Sequence, residues 1–355
     1  MKKYFGLLFC LVALNSCDDG DMVFESFNFD DVDAADCGTT SIINTVFKIN
    51  KNEALILKLD GAETFVNSEG QEYTATVFPF RNQITLENTP RIYKISTTNR
   101  VIYRVFSGDV PSTYFCQDIP PVSPSVVSES STLVNGNGTV EIKTTIIENE
   151  YSSISEVQYR HSIVLKNITF SDANGSTTYE TFPYGSYDKK SNVSFSFPST
   201  STIQKCADGR LFRIADKNLG NDPKKENLNE VLEFTISDAE LAALPNGETV
   251  PLKIDAAHQL TYRIFNSDVN TNFLCTGDAT GLSPYPETYA TYKALNGTDG
   301  DGEIVLPTGF YTIRKTPIET GGFNYLFNFS RLTFKDVNST TTFKQENYNF
   351  VYILN

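Results

Sequence analysis

Few side chains in this sequence have the type and spacing that chemistry requires. There are two histidines, His161 and His258, among 355 residues. A histidine-built metal centre or a histidine-based catalytic site is hard to assemble from them. No C-x-x-C or H-x-x-x-H spacing offers zinc a ligand set. There is no G-x-S-x-G, P-loop, strand-borne G-x-G-x-x-G or H-E-x-x-H. Carboxylates are plentiful, with 43 Asp and Glu, so no glycosidase-type pair stands out. Asp299-Gly-Asp301 and Asp31-Val-Asp33 look like fragments of oxygen-ligand loops. Neither supplies the Glu at the twelfth position that an EF-hand needs. No metal, no cofactor and no catalytic residue is expected.

Aromatic rings are the other candidates. The chain has 18 Tyr, 26 Phe and no Trp. Sugars stack on flat aromatic faces, and Pro284-Tyr-Pro-Glu-Thr-Tyr-Ala-Thr-Tyr292 offers Tyr285, Tyr289 and Tyr292 as candidate ligand-binding residues. The structural reading of the same stretch is a Pro-led linker into an edge strand.

One constellation occurs twice. Tyr103-Arg-Val-Phe-Ser-Gly-Asp-Val-Pro-Ser-Thr-Tyr-Phe-Cys116 aligns without gaps on Tyr262-Arg-Ile-Phe-Asn-Ser-Asp-Val-Asn-Thr-Asn-Phe-Leu-Cys275. It repeats Tyr103, Arg104 and Asp109 as Tyr262, Arg263 and Asp268. These residues make either two equivalent ligand sites or a fold element that places the cysteine. Further matches run in the same order. Ser26–Phe29 matches Ser194–Phe197, Val46–Ile49 matches Leu211–Ile214, and Ile168–Asn174 matches Leu332–Asn338. The period near 165 residues is far longer than a solenoid repeat. Two tandem copies of one domain are expected, over residues 26–187 and 188–355.

The elements that position these residues read as β. Alternating β-branched and aromatic residues mark Ala54–Leu59, Arg91–Ile95, Val101–Phe106, Val140–Ile147 and Ser162–Phe170. Val231–Ile236, Leu260–Phe265, Gly309–Ile313 and Tyr325–Phe334 mark the second copy. Asn-Gly and Asp-Gly turns separate them. The fold expected is all-β, two tandem homologous β-sandwich-like domains, immunoglobulin-like or similar. One short helix is expected near 238–244, where Ser237-Asp-Ala-Glu240 is a capping box and Pro245-Asn-Gly247 a stop. The matching Asp60-Gly-Ala-Glu63 keeps the Glu as a weaker helix.

The cysteines then fall into place. Cys37 and Cys116 lie in one copy, Cys206 and Cys275 at matching places in the other. Four cysteines allow three connectivities. Self-contained copies favour one bridge within each. A thiol enzyme needs a base beside its cysteine. The histidines match nothing between copies, because His161 aligns with Tyr325 and His258 with Asn99.

The N-terminus reads as an address. Met1-Lys2-Lys3 is basic, and Tyr4–Leu14 is apolar. That run describes a secretory signal and is too short for a spanning helix of ~20 apolar residues. Leu14-Asn15-Ser16-Cys17 resembles a bacterial lipobox, in which the cysteine becomes the lipidated first residue. Asp18, Asp19 and Asp21 follow. The segment resembles that of Bacteroidetes lipoproteins, especially flavobacterial ones, whose acidic tract marks export to the cell surface. The resemblance implies a signal peptide over 1–16, lipidation at Cys17 and a tether over 17–25. It implies an outer-membrane, lipid-anchored location facing the surface, or alternatively the periplasm. As a whole the chain resembles uncharacterised flavobacterial surface lipoproteins, which implies no activity.

The net charge of −14 repels phosphate backbones, so nucleic acid is not an expected partner. The function expected is a non-enzymatic binding, adhesion or structural role, with an envelope protein as one partner class. The alternative is a surface polysaccharide-binding protein of a nutrient-uptake system. A glycan-acting hydrolase stands third.

Overall fold

A computed structural model describes residues 29–37, 45–60, 62–66, 72–76, 85, 89–117, 119, 121–134, 136–171, 175–191, 193–197, 203–215, 229–282, 285–295, 309–319, 321–329, 331–346 and 348–354. The described chain is nearly all β. The first half carries β1 (Thr45–Asn50), β2 (Glu53–Leu59), β3 (Ala62–Val66), β4 (Glu72–Thr76), β5 (Arg91–Lys94) and β6 (Asn99–Phe106). Then come β7 (Val126–Thr132), β8 (Thr139–Ile146), β9 (Glu150–Tyr151), β10 (Gln158–Ser171) and β11 (Ser176–Lys190). The second half carries β12 (Ile203–Lys205), β13 (Arg210–Ala215), β14 (Asn229–Thr235), β15 (Thr249–Lys253), β16 (Leu260–Phe265) and β17 (Thr288–Ala294). It ends with β18 (Phe310–Pro317), β19 (Phe323–Phe329), β20 (Leu332–Asp336), β21 (Thr342–Gln345) and β22 (Tyr348–Leu354). Two short helices, α1 (Asp238–Ala243) and α2 (Thr271–Thr276), lie in the second half.

One order of strands occurs twice. In the first half β1-β2-β6-β7 leads to the end of β10, while β8 pairs with its start and β5 pairs with β8. In the second half β12-β13-β14-β16-β17-β20-β21 form one sheet, which β9 of the first half extends, and β15-β18-β19-β22 form another. The main difference in the ladders is one break. β10 runs through both layers and bends at Asn167, whose φ is 50°. The corresponding ribbon in the second half is interrupted between β19 and β20, beside Arg331 at φ 52°. The span Tyr325–Phe334 therefore holds two strands, not one. Asp60–Glu63 forms no helix: Ala62–Val66 pairs antiparallel with β4. Its alternating Thr-Phe-Val suits a hairpin better than one turn of helix. Residue 238 does open a helix, with both bonds of the Ser237/Glu240 capping box formed.

Strand β2 explains how each half is layered. Leu55, Leu57 and Leu59 face a core shared with Tyr93, Val140, Ile163 and Leu165 from the opposite layer, and with Phe170 at the end of β10. Ala54 and Ile56 face the other way, into a smaller core with Phe47, Ile102, Phe106 and Tyr114. Both faces of the strand are buried, which is why its sequence is a nearly continuous apolar run. Each such leucine contributes about 1.5–3 kcal/mol by leaving water.

The halves share a core. Tyr151, Ile154, Val157 and Tyr159 precede residue 187, yet they pack with Leu232, Tyr262, Tyr292 and Phe343. β9 pairs parallel with β21, and Thr342 N–H donates to Asn149 O at 3.1 Å. The Tyr159 and Tyr292 hydroxyls lie 3.2 Å apart.

Candidate functional site

The cysteines form two bridges, Cys37–Cys116 and Cys206–Cys275, each within one half. Each holds a strap over the outer face of a sheet. In the first half the strap carries Val110, Tyr114 and Phe115 onto Phe47 and Phe106. In the second it carries Val269, Leu274 and Phe273 onto Phe212 and Phe265. Cys275 sits on α2, which Asn270 caps through Phe273 N–H at 2.9 Å. Cys116 ends a single 3-10 turn.

The repeated Tyr-Arg-Asp residues lie at the roots of these straps and do not make two equal sites. Arg104 pairs with Glu129 on the neighbouring strand at 2.6 Å, and Asp109 is exposed beyond the strand end. Arg263 pairs with Glu233 on β14, and Asp268 accepts from Asn229 at 2.8 Å. Arg104 stands directly opposite its Glu129, while Arg263 reaches diagonally to Glu233, both within range across a ladder. Tyr103 is half-buried and packs edge-on against Phe29. Tyr262 is buried and donates to the buried Glu230 at 2.7 Å. Burial, with Glu230 adding to it, pushes the Tyr262 hydroxyl well above its ordinary range. Glu230 also accepts from Ser194 N–H. This interior carboxylate was not legible in advance, because an acidic residue inside a strand pattern reads as solvent-facing.

Tyr285, Tyr289 and Tyr292 do not form an exposed platform. Tyr292 is 0% and Tyr289 8% exposed, and Tyr285 packs edge-on against Phe273. β17 is also interior to its sheet, between β16 and β20, not an edge. A bulge sets the outcome. Ile264 opposes Ala290 and Phe265 opposes Thr288, leaving Tyr289 as the extra residue. The alternation slips by one there, so Tyr289 and Tyr292 both turn inward.

The histidines serve different surroundings. His161 is buried in β10, with Nδ1 2.9 Å from the Thr144 hydroxyl and its ring stacked on Tyr187. Burial, then the charges of Lys189 and Arg91, hold its pKa well below the usual histidine value. His258 lies outside the strands, in the bend before β16. Its Nε2 is 2.9 Å from Glu240 and its Nδ1 3.2 Å from Asp255. The ring ties α1 to the β15–β16 connection. The Ser237 hydroxyl and N–H and the His258 ring hold the Glu240 carboxyl down at about 2, from an ordinary 4.5. A depressed acid stabilises the fold above its unfolded pKa and loses that contribution as pH falls toward the folded one. Ser237→Ala should cost about 1 kcal/mol at neutral pH. In an otherwise identical thermal melt at pH 2 the penalty should shrink. A penalty unchanged at pH 2 would remove Glu240 from the account.

Among the described residues no group of three or more His, Cys, Asp or Glu could hold a metal ion. Asp31 and Asp33 are exposed, while Asp299 and Asp301 lie outside the described residues. So do Cys17, Asp18, Asp19 and Asp21. Among the described residues no helix is long and apolar enough to cross a membrane. No protein-family model, no curated protein and no solved structure matches this chain.

Proposed function

We propose that this is a lipid-anchored envelope protein whose two β halves bind or brace and do not catalyse. The observation that carries the reading is the cysteine usage. Four cysteines are consumed in one bridge per half, and Cys17 stands at the end of the lipobox-like Leu14-Asn15-Ser16-Cys17. Disulfides persist in exported compartments, which agrees with a leader followed by an acylated cysteine. The acidic Asp18, Asp19 and Asp21 favour the outer membrane and its outward face. The strand order that occurs twice, together with the collinear sequence matches, supports reading the halves as copies of one domain.

A surface polysaccharide-binding role loses its best candidates, since Tyr289 and Tyr292 are core residues. An envelope or host protein is the better partner class. Two measurements test the reading. Cys17→Ala should move the protein from the membrane to the soluble fraction. Protease shaving of intact cells should remove the domains if they face outward. Protection until lysis would place them in the periplasm, with the acidic residues a mere spacer.

A further inference from the structure

We propose that β22 is the seam of a homodimer, pairing antiparallel with β22 of a second copy about a two-fold axis at Val351, perpendicular to the sheet. The pairing needs neither the lipid nor the leader, so it stands apart from the anchor proposed above. β22 ends its sheet. It pairs with β19 along its whole length, and among the described residues no strand lies on its far side. An edge strand presents a row of backbone N–H and C=O groups to whatever strand arrives.

Folded proteins guard such edges with charge, proline or a bulge. β15, at the other end of the same sheet, carries Pro251 and Lys253. In the first half β5 carries Arg91 and Lys94, and β11 carries Pro183 beside a bulge. β1 is met by Ala35. β22 has none of these guards. Its sequence, Tyr-Asn-Phe-Val-Tyr-Ile-Leu, holds no charge, no Pro and no Gly, the composition that adds strands most readily.

Charge and register select the occupant. A chain of net charge −14 repels its own copies overall. At this edge it does not, because β19 is as free of charge as β22, and β18 beyond it sets the basic Arg314 opposite Leu326. On the inner side Tyr352 lies near the Lys205–Asp238 pair, one charge of each sign. Leu326 and Val351 stand directly opposite each other on the outer face, 40% and 52% exposed. Pairing centred at Val351 sets this valine against that of the second copy, on the same face. The exposed pair becomes a row of four, Leu-Val-Val-Leu, across the seam. Centring one residue earlier would set each valine against Asn349 and lose the row. The contact is isologous and closes at two copies.

Cysteine cross-linking of the full chain, in cells that make it, reads the register, since the other cysteines of the described fold are bonded. Mild oxidation should convert Val351→Cys to a covalent dimer, because the paired Cβ atoms would lie about 5 Å apart. Asn349→Cys should stay uncoupled, because its two thiols would stand about 13 Å apart along the strand. In sedimentation the full chain with Cys17→Ala should show twice the monomer mass. Adding Val351→Lys at this exposed position should leave the thermal melt in place and weaken association roughly tenfold, since like charges would meet directly. A chain monomeric at every concentration would overturn the seam. So would a dimer indifferent to Val351→Lys, or equal cross-linking from 349 and 351. Coupling of Val351→Cys to a different envelope protein, and not to itself, would overturn self-pairing and give the edge to that partner.

Discussion

A Tyr159→Ala variant should lose about 3–5 kcal/mol of stability, the usual cost of truncating a buried aromatic. The loss should be felt mainly in the half to which Tyr159 does not belong by sequence. Its ring is 1% exposed, in the core formed with Tyr262, Tyr292 and Phe343. Hydrogen exchange separates this from a general weakening. Amides of β17, β20 and β21 should lose protection first, because that is where the cavity opens. Protection lost only from β8 and β10 would show that the halves are energetically separate. Tyr159→Phe isolates the polar part. It removes the hydroxyl that meets Tyr292 at 3.2 Å and should cost only about 0.5–1.5 kcal/mol.

The second large effect is loss of a bridge. Cys37→Ser with Cys116→Ser opens a link spanning 79 positions, and Cys206→Ser with Cys275→Ser one spanning 69. Loop entropy assigns each about 4 kcal/mol, with measured losses usually between about 2 and 5. For units of this size that is a melting temperature lower by roughly 10 °C. Each pair should also release its own strap. Tyr114 and Phe115 would lift from Phe106 in one half, and Leu274 and Phe273 from Phe265 in the other. Dye binding to newly exposed apolar surface should rise in both variants, and reductant should reproduce it in the unaltered chain. Melts unchanged by both double variants would mean that the straps hold by packing alone.

These outcomes show which parts of the fold could be read from residues. Strands such as Leu260–Phe265 and Val101–Phe106 announce themselves, because β-branched and aromatic residues alternate over a full strand length. The helix at 238 is readable because Ser237 and Glu240 satisfy each other's backbone donors whatever the rest of the chain does. The bridges are readable once the repeat is seen. The misplaced residues have a common cause: their surroundings come from distant strands. The Tyr289 bulge depends on how β16 meets β17, which no local pattern records. Arg104 and Arg263 choose Glu129 and Glu233 by ladder register, not by closeness in sequence. Glu230 and Tyr159 are buried because a tertiary neighbour covers them. The address proposed at Cys17, by contrast, rests wholly on local sequence.

The N-terminal segment is fastened at several points, among them Asp36, which accepts from the Tyr187 hydroxyl at 2.7 Å. The buried Lys48 ammonium donates to Phe29 O at 2.8 Å, and a Cβ on Gly185 would lie 2.8 Å from that nitrogen. Ala35 exchanges two backbone bonds with Phe47, at 2.9 and 2.8 Å. Cys37 is covalently joined to Cys116. A pull through this segment would first break the Lys48, Ala35 and Asp36 bonds, and would then pass across the sulfurs into residue 116. Residues 38–115 would carry no load. At about 3.4 Å each, they amount to roughly 260 Å of hidden length that only a reductant releases. Under tension the molecule would therefore behave as a short, stiff leash, with β1, β2 and β6 sheltered behind the bridge.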